Sequence, residues 1–212
     1  MKKYLVLGVL FILPLVTYLF FASGVNNFMK LPVLTEGVGE VNEFRSLSGE
    51  KISLSGKITI LGFFGNDIEF KKANAFNLNQ KIYKRFYEFN DFQFVIIVPD
   101  TAENEKEIRS LKAELGKLTD TRNWKFLFGS PAQIEVLFNS LQSSFSLDKN
   151  YGVHQVFIID KESNLRGRKG DEMLYGFDAR SVAEINNKME DDVKVLLAEY
   201  RLALKRNNRY RD

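Results

Sequence analysis

The sequence predicts a three-layer α/β sandwich, a central mixed sheet flanked by helices, behind an N-terminal transmembrane helix. Three observations carry this. Short apolar runs rich in β-branched and aromatic residues alternate with stretches whose apolar residues recur every three or four positions, the rhythm of strands and helices in turn. The last strand run turns back as a hairpin before a long helical stretch, so the sheet is mixed rather than all parallel. Finally, Tyr4–Ala22 carries no charge and approaches the roughly 20 residues that span a bilayer core as a helix.

At 212 residues, 45% hydrophobic and 13% aromatic, the chain has enough apolar material for one well-filled core plus extras. Its net charge of +3 comes from 30 basic and 27 acidic residues, a balance that leaves no nucleic-acid footprint. There is no cysteine, which excludes disulfides, redox thiols and thiolate metal sites together. No Gly-rich phosphate loop, Ser-His-Asp arrangement or HExxH occurs, and Met1, Met29, Met173 and Met189 are too scattered for a methionine copper site.

Residues 1–23 read as a membrane anchor or a signal. The anchor is favoured because a signal peptide has a shorter apolar run of roughly 7–15 residues, although Ala22-Ser-Gly24 offers a small-residue cleavage site. Lys2 and Lys3 stay cytoplasmic by the positive-inside rule, giving a single-pass protein of the inner (cytoplasmic) membrane with its domain on the periplasmic, outer face. Lipid anchoring through a cysteine is impossible. Residues 24–43, with Gly24, Gly37, Gly39 and Pro32, are either a linker or an irregular packed edge. The domain proper is 44–206, and 207–212 closes a basic tail, solvated or membrane-touching.

Within the domain, Phe44–Leu54 suggests a hairpin around Ser48-Gly49. Lys57–Phe64 is the central buried strand, broken by Gly65 and Asn66. Asn66 is read as the cap of a helix starting near Ile68, with Glu69 reaching back as in a capping box, and Ala75, Leu78, Ile82, Phe86 and Phe89 as its buried face. Phe92–Val98 is a second strand. A helix from near Ala102 follows, burying Ile108, Leu111, Leu115 and Leu118, then a short strand over Asn123–Phe128. Ser130-Pro131 with Gln133 caps a helix burying Ile134, Leu137, Phe138 and Leu141. After a loop over Leu147–Gly152, Gln155–Asp160 is a strand and Leu165–Arg168 its hairpin partner. Asp178 is read as the cap of the last helix, whose buried stripe is Val182, Ile185, Met189, Val193, Leu196, Tyr200 and Leu204.

Phe44-x-x-Leu-x-Gly-x-x-Ile-x-Leu-x-Gly56-Lys57 and an apolar strand ending in Phe63-Phe64 resemble the entry of the peroxiredoxin and Sco/SenC branch of the thioredoxin-like superfamily. Asn77-Leu78, Trp124–Gly129, and Gln155–Lys161 with Arg166-Gly167 look most like Sco/SenC, and a peroxiredoxin-like enzyme, the runner-up, fails for want of a thiol. The resemblance covers roughly 42–205. It implies a thioredoxin-like fold and kinship with membrane-anchored copper-delivery and thiol-redox proteins that assist cytochrome c oxidase assembly. Such proteins place Cys-x-x-x-Cys after the Phe-Phe strand and a histidine before the later strand. Those positions fall here on Asp67, Lys71 and Gly152, so all three ligands are missing. The only histidine, His154, is two residues on and shares a strand face with Gly152.

The site positions are therefore Asp67, Lys71 and Gly152, with Asn66, Glu69 and His154 as a residual set. Asp67, Glu69 and His154 could assemble a hard-metal site, but capping and the helix dipole account for the two acids without one. Lys71 and Lys72 could bind an anion at the helix start, a solvated first turn being the default. The expectation is no catalysis, no metal and no cofactor. The chain is expected to be a redox-inactive interaction or assembly factor, its partner an oxidase subunit or a Cys-containing paralogue. The alternatives are a structural envelope protein unrelated to respiration and a metal carrier with unconventional ligands.

Overall fold

The computed structural model describes residues 2–22, 30–169 and 175–209. Gly24, Met29, Met173 and the last residues of the basic tail lie outside them. Helix α1 (Lys2–Ala22) carries exposed large side chains from Tyr4 to Leu19. Counting only the described side chains, no helix is long and apolar enough to cross a membrane.

The domain is built on β1 (Val33–Thr35), β2 (Arg45–Ser46), β3 (Ile58–Phe64), β4 (Phe92–Pro99), β5 (Trp124–Gly129), β6 (Gly152–Ile159), β7 (Leu165–Arg166) and β8 (Phe177–Asp178). They form one sheet in the order β1-β7-β6-β3-β4-β5-β2, with β8 also on β6. β3, β4 and β5 are parallel, and every other pairing is antiparallel. All residues of β3 and β4 are buried, because helices or loops cover both faces.

On one face lie α2 (Ile68–Leu78), α4 (Ala102–Gly116) and α7 (Glu190–Arg209), burying Ala75, Leu78, Ile108, Leu111, Val193 and Leu196 against Ile60, Phe94 and Phe126. On the other lie α5 (Pro131–Ser140) and the irregular segment through Val38, Val41, Ile52 and Leu54, packed on Leu61, Phe63 and Val95. The 24–43 stretch thus divides: 24–29 lie outside the described residues, while from Leu31 the chain packs, with β1 on β7.

Several sequence readings are corrected. No hairpin forms at Ser48-Gly49: the turn exists, with Gly49 at φ +78°, but β2 pairs with β5 and Ile52 and Leu54 enter the core without pairing. Phe89 and Leu118 are exposed by 48% and 47%, because α3 (Lys84–Phe86) and α4 stop at Phe86 and Gly116 and the periodicity runs on past them. Val182 is 43% exposed at the start of α6 (Val182–Glu184). Asp178 does not cap the last helix. Ser181 does, accepting from the Glu184 N–H, while Asp178 caps the preceding turn through the Arg180 N–H. The capping box at Ser130 and Gln133 is present in full.

Two π-helical turns, Asn79–Tyr83 and Ile185–Met189, interrupt the flanking helices, and periodicity gave no sign of them. The first buries Asn79, whose side chain accepts from Trp124 Nε1 at 3.2 Å and donates to Thr119.

Candidate functional site

The site lies where β3 ends and α2 begins. Gly65 makes the turn at φ +69°, and any Cβ there would stand 2.7 Å from the Gly152 nitrogen, so only glycine lets the two segments approach. Phe64 pairs with Gly152 across a register shift, which brings the 141–151 loop against the start of α2. There Asn66 N–H donates to Asn150 O, and Asn150 Nδ2 donates to Asp67. Asp148 accepts from the Asn150 and Gly152 N–H groups at 2.8 and 2.9 Å.

The cap reading of Asn66 is overturned. Asp67 is the N-cap residue and makes no side-chain cap bond, while Asn66 Oδ1 accepts from Asn104 Nδ2 at 2.9 Å. Asn104 also donates to Pro99 O, so Asn66 ties the site to the start of α4 rather than to its own helix. Glu69 is exposed and reaches back to nothing among the described residues.

Lys71 departs furthest from expectation. It is not solvated but 3% exposed, with Nζ 3.1 Å from His154 Nδ1. When Lys71 is the ammonium it donates and Nδ1 accepts, which requires the tautomer protonated on Nε2. Asn74 Nδ2 stands 3.5 Å from the same nitrogen. Burial lowers the Lys71 pKa against the pull of Asp148 and Asp67. His154 is likewise lowered, first by burial and then by Lys71 and Arg180. Lys72 faces the other way and pairs with Glu114 at 2.7 Å.

Of the counted positions, the structure therefore joins Lys71 to His154 and leaves Gly152 apart. A Cβ on Gly152 would meet Phe64 O at 2.9 Å, so that position is closed to a side chain. Among the described residues no three His, Asp or Glu side chains gather as metal ligands. Asn74, Asp148 and Asn150 complete the site without a sequence signal, since what recruits them is the pairing of β3 with β6. Asn66 also lines a crevice of about 500 Å³ between the starts of α4 and α5, with Thr101, Ser130 and Tyr151. It opens where helices after neighbouring parallel strands leave for opposite faces of the sheet.

No family model matches the chain, and no curated protein does. Solved structures do. BsSco, described as a member of the Sco family of cytochrome c oxidase assembly proteins, aligns at 16% identity over 79% of this chain and 98% of its own, TM-score 0.57. A SCO1/SenC family lipoprotein from Bacillus anthracis aligns at 20% identity over 82% and 99%, TM-score 0.53. A Bacteroides thetaiotaomicron protein, provisionally assigned as a protein disulfide isomerase, aligns at 14% over 79% and 94%, TM-score 0.53. With its β3–α2 site on a mixed sheet between two helical layers, the chain has the thioredoxin-like fold that Sco/SenC structures share, built without a cysteine.

Proposed function

We propose that this is a membrane-anchored thioredoxin-fold protein that works by protein contact, as an interaction or assembly factor linked to cytochrome c oxidase biogenesis, with no copper or thiol chemistry of its own. The observation that carries the reading is Lys71: the position that the resemblance gives to a thiolate holds an ammonium, seated against the only imidazole of the chain. Thiol–disulfide exchange needs an attacking thiolate, and this chain has none. The link to oxidase assembly comes from the Sco-family structures it resembles. Anchoring is inferred from the charge-free Tyr4–Ala22 after Lys2 and Lys3, and the positive-inside rule supports a domain outside a bacterial-type inner membrane.

A pull-down of the detergent-solubilised full chain tests the reading. Oxidase subunits or a Cys-containing Sco paralogue are the expected partners. Recovery of envelope machinery alone would favour a structural envelope role. Tight stoichiometric copper(I) binding by the parent, in competition with a chelator, would overturn the claim that it lacks copper chemistry.

A further inference from the structure

We propose that Lys71 and His154 form an acid-released latch: an amine–imidazole contact with room for one positive charge, which holds the first turn of α2 to β6 at neutral pH and lets go when His154 takes a proton. This does not depend on which partner the protein binds.

The geometry gives a second charge no carboxylate in direct contact. Lys71 Nζ and His154 Nδ1 are 3.1 Å apart, and Lys71 is nearly out of solvent. Three carboxylates face the pair, from the α2 cap (Asp67), the 141–151 loop (Asp148) and β8 (Asp178), and each is engaged elsewhere. Asp67 accepts from Asn150, Asp148 from two backbone N–H groups, and Asp178 from Arg180. None forms an ion pair with Lys71 or His154 among the described residues, and Arg180 adds a further positive charge. Two cations in contact, partly desolvated and without a bridging anion, repel far more strongly than the same charges in water. Lys71 has a long, flexible stem, so it is the group that leaves.

The first turn of α2 has no side-chain cap bond: buried Ile68 holds it to the core and Lys72 to Glu114 on α4, while the Asp67–Asn150 bond and the latch are its side-chain ties to the loop and to β6. Phe70, next to Lys71, is 80% exposed, so release of the turn re-presents an aromatic side chain at the site. The sign follows from the lowered His154 pKa: the unfolded or released state binds the proton first. The latch is intact above the ordinary histidine value of 6.5 and is lost as pH falls from there through the folded-state value.

Because His154 is the only histidine, its ring resonances in the full chain in detergent micelles report one group. Ring titration by NMR should be run beside hydrogen exchange of residues 66–74, corrected for the intrinsic pH dependence of exchange. The expected result is a His154 midpoint below 6.5 and a loss of protection at Lys71–Asn74, the first amides of α2 with helical acceptors, of at least tenfold with that same midpoint. In His154→Gln the loss should vanish. In Lys71→Met the His154 midpoint should move up while protection becomes independent of pH, and this variant serves if His154→Gln fails to fold. Titration of His154 without any change in protection overturns the latch, as does the same acid response in a folded His154→Gln, which would assign it to the carboxylates.

Discussion

Lys71 shows how much one side chain decides at this site. Counting along the sequence placed it and Asp67 at the helix start, where a lysine is ordinarily solvated, and nothing local says that it turns inward to meet a histidine 83 residues away. The same geometry revises how a metal site would be rebuilt. Gly152 cannot carry a ligand, because Phe64 O occupies the space of its Cβ, whereas His154 already stands at the end of Lys71. Lys71 N–H bonds to Asp67 O, so cysteines at both positions would lie on one helical face at an N-terminus, where thiol pKa values fall. The double variant Asp67→Cys, Lys71→Cys is expected to bind copper(I) with His154 as third ligand, measured by chelator competition, while the parent stays empty. Adding His154→Gln should weaken it, and a folded double variant with no gain would sink the residue match to the Sco family.

For the elements, periodicity was reliable about which face of a helix is buried and poor about where the helix stops. Ala75, Leu78 and Ile82 were legible because each lies one turn from the next, but Phe89 and Leu118 were not, because a helix ends where its caps and the following turn dictate. Caps divide in the same way. Ser130 and Gln133 form a motif contained within four residues, and that motif was legible. Asn66 has the same cap chemistry, yet its oxygen is claimed by Asn104 from the next helix. Ser130→Ala should therefore cost about 1 kcal/mol in urea denaturation, the ordinary worth of an N-cap. Asn66→Ala should cost less, since Asn104 keeps its bond to Pro99 O, and a larger loss there would contradict the assignment of Asp67 as the cap.

Across the whole molecule, the buried Arg166 joins three distant pieces: Nε donates to Leu31 O in the N-terminal arm, one Nη to Asp160 beside the hairpin, the other to Glu199 on α7. Removing it strands Asp160, 1% exposed, without its counter-charge. Arg166→Met should therefore lose about 3 kcal/mol and hasten proteolysis near Leu31, read by denaturation and timed digestion. A stability within about 1 kcal/mol of the parent would show that the arm is held by other contacts. Placement is tested at the same scale: protease added outside spheroplasts should cut the domain, and release of the full chain from membranes by salt alone would refute the anchor. The sequence by itself determined the alternation of strands and helices, the mixed sheet, the charge-free N-terminal run and the absence of thiol chemistry, because composition and short-range periodicity are properties of a local window. Only the tertiary structure decided that residues 31–54 pack as an arm, that Asn66 serves the neighbouring helix, and that Lys71 is buried on His154. The first depends on β1 pairing with β7 and β2 with β5, the second on β3 lying beside β4, and the third on the antiparallel pairing of β3 with β6, each of which brings together groups that no window along the chain contains.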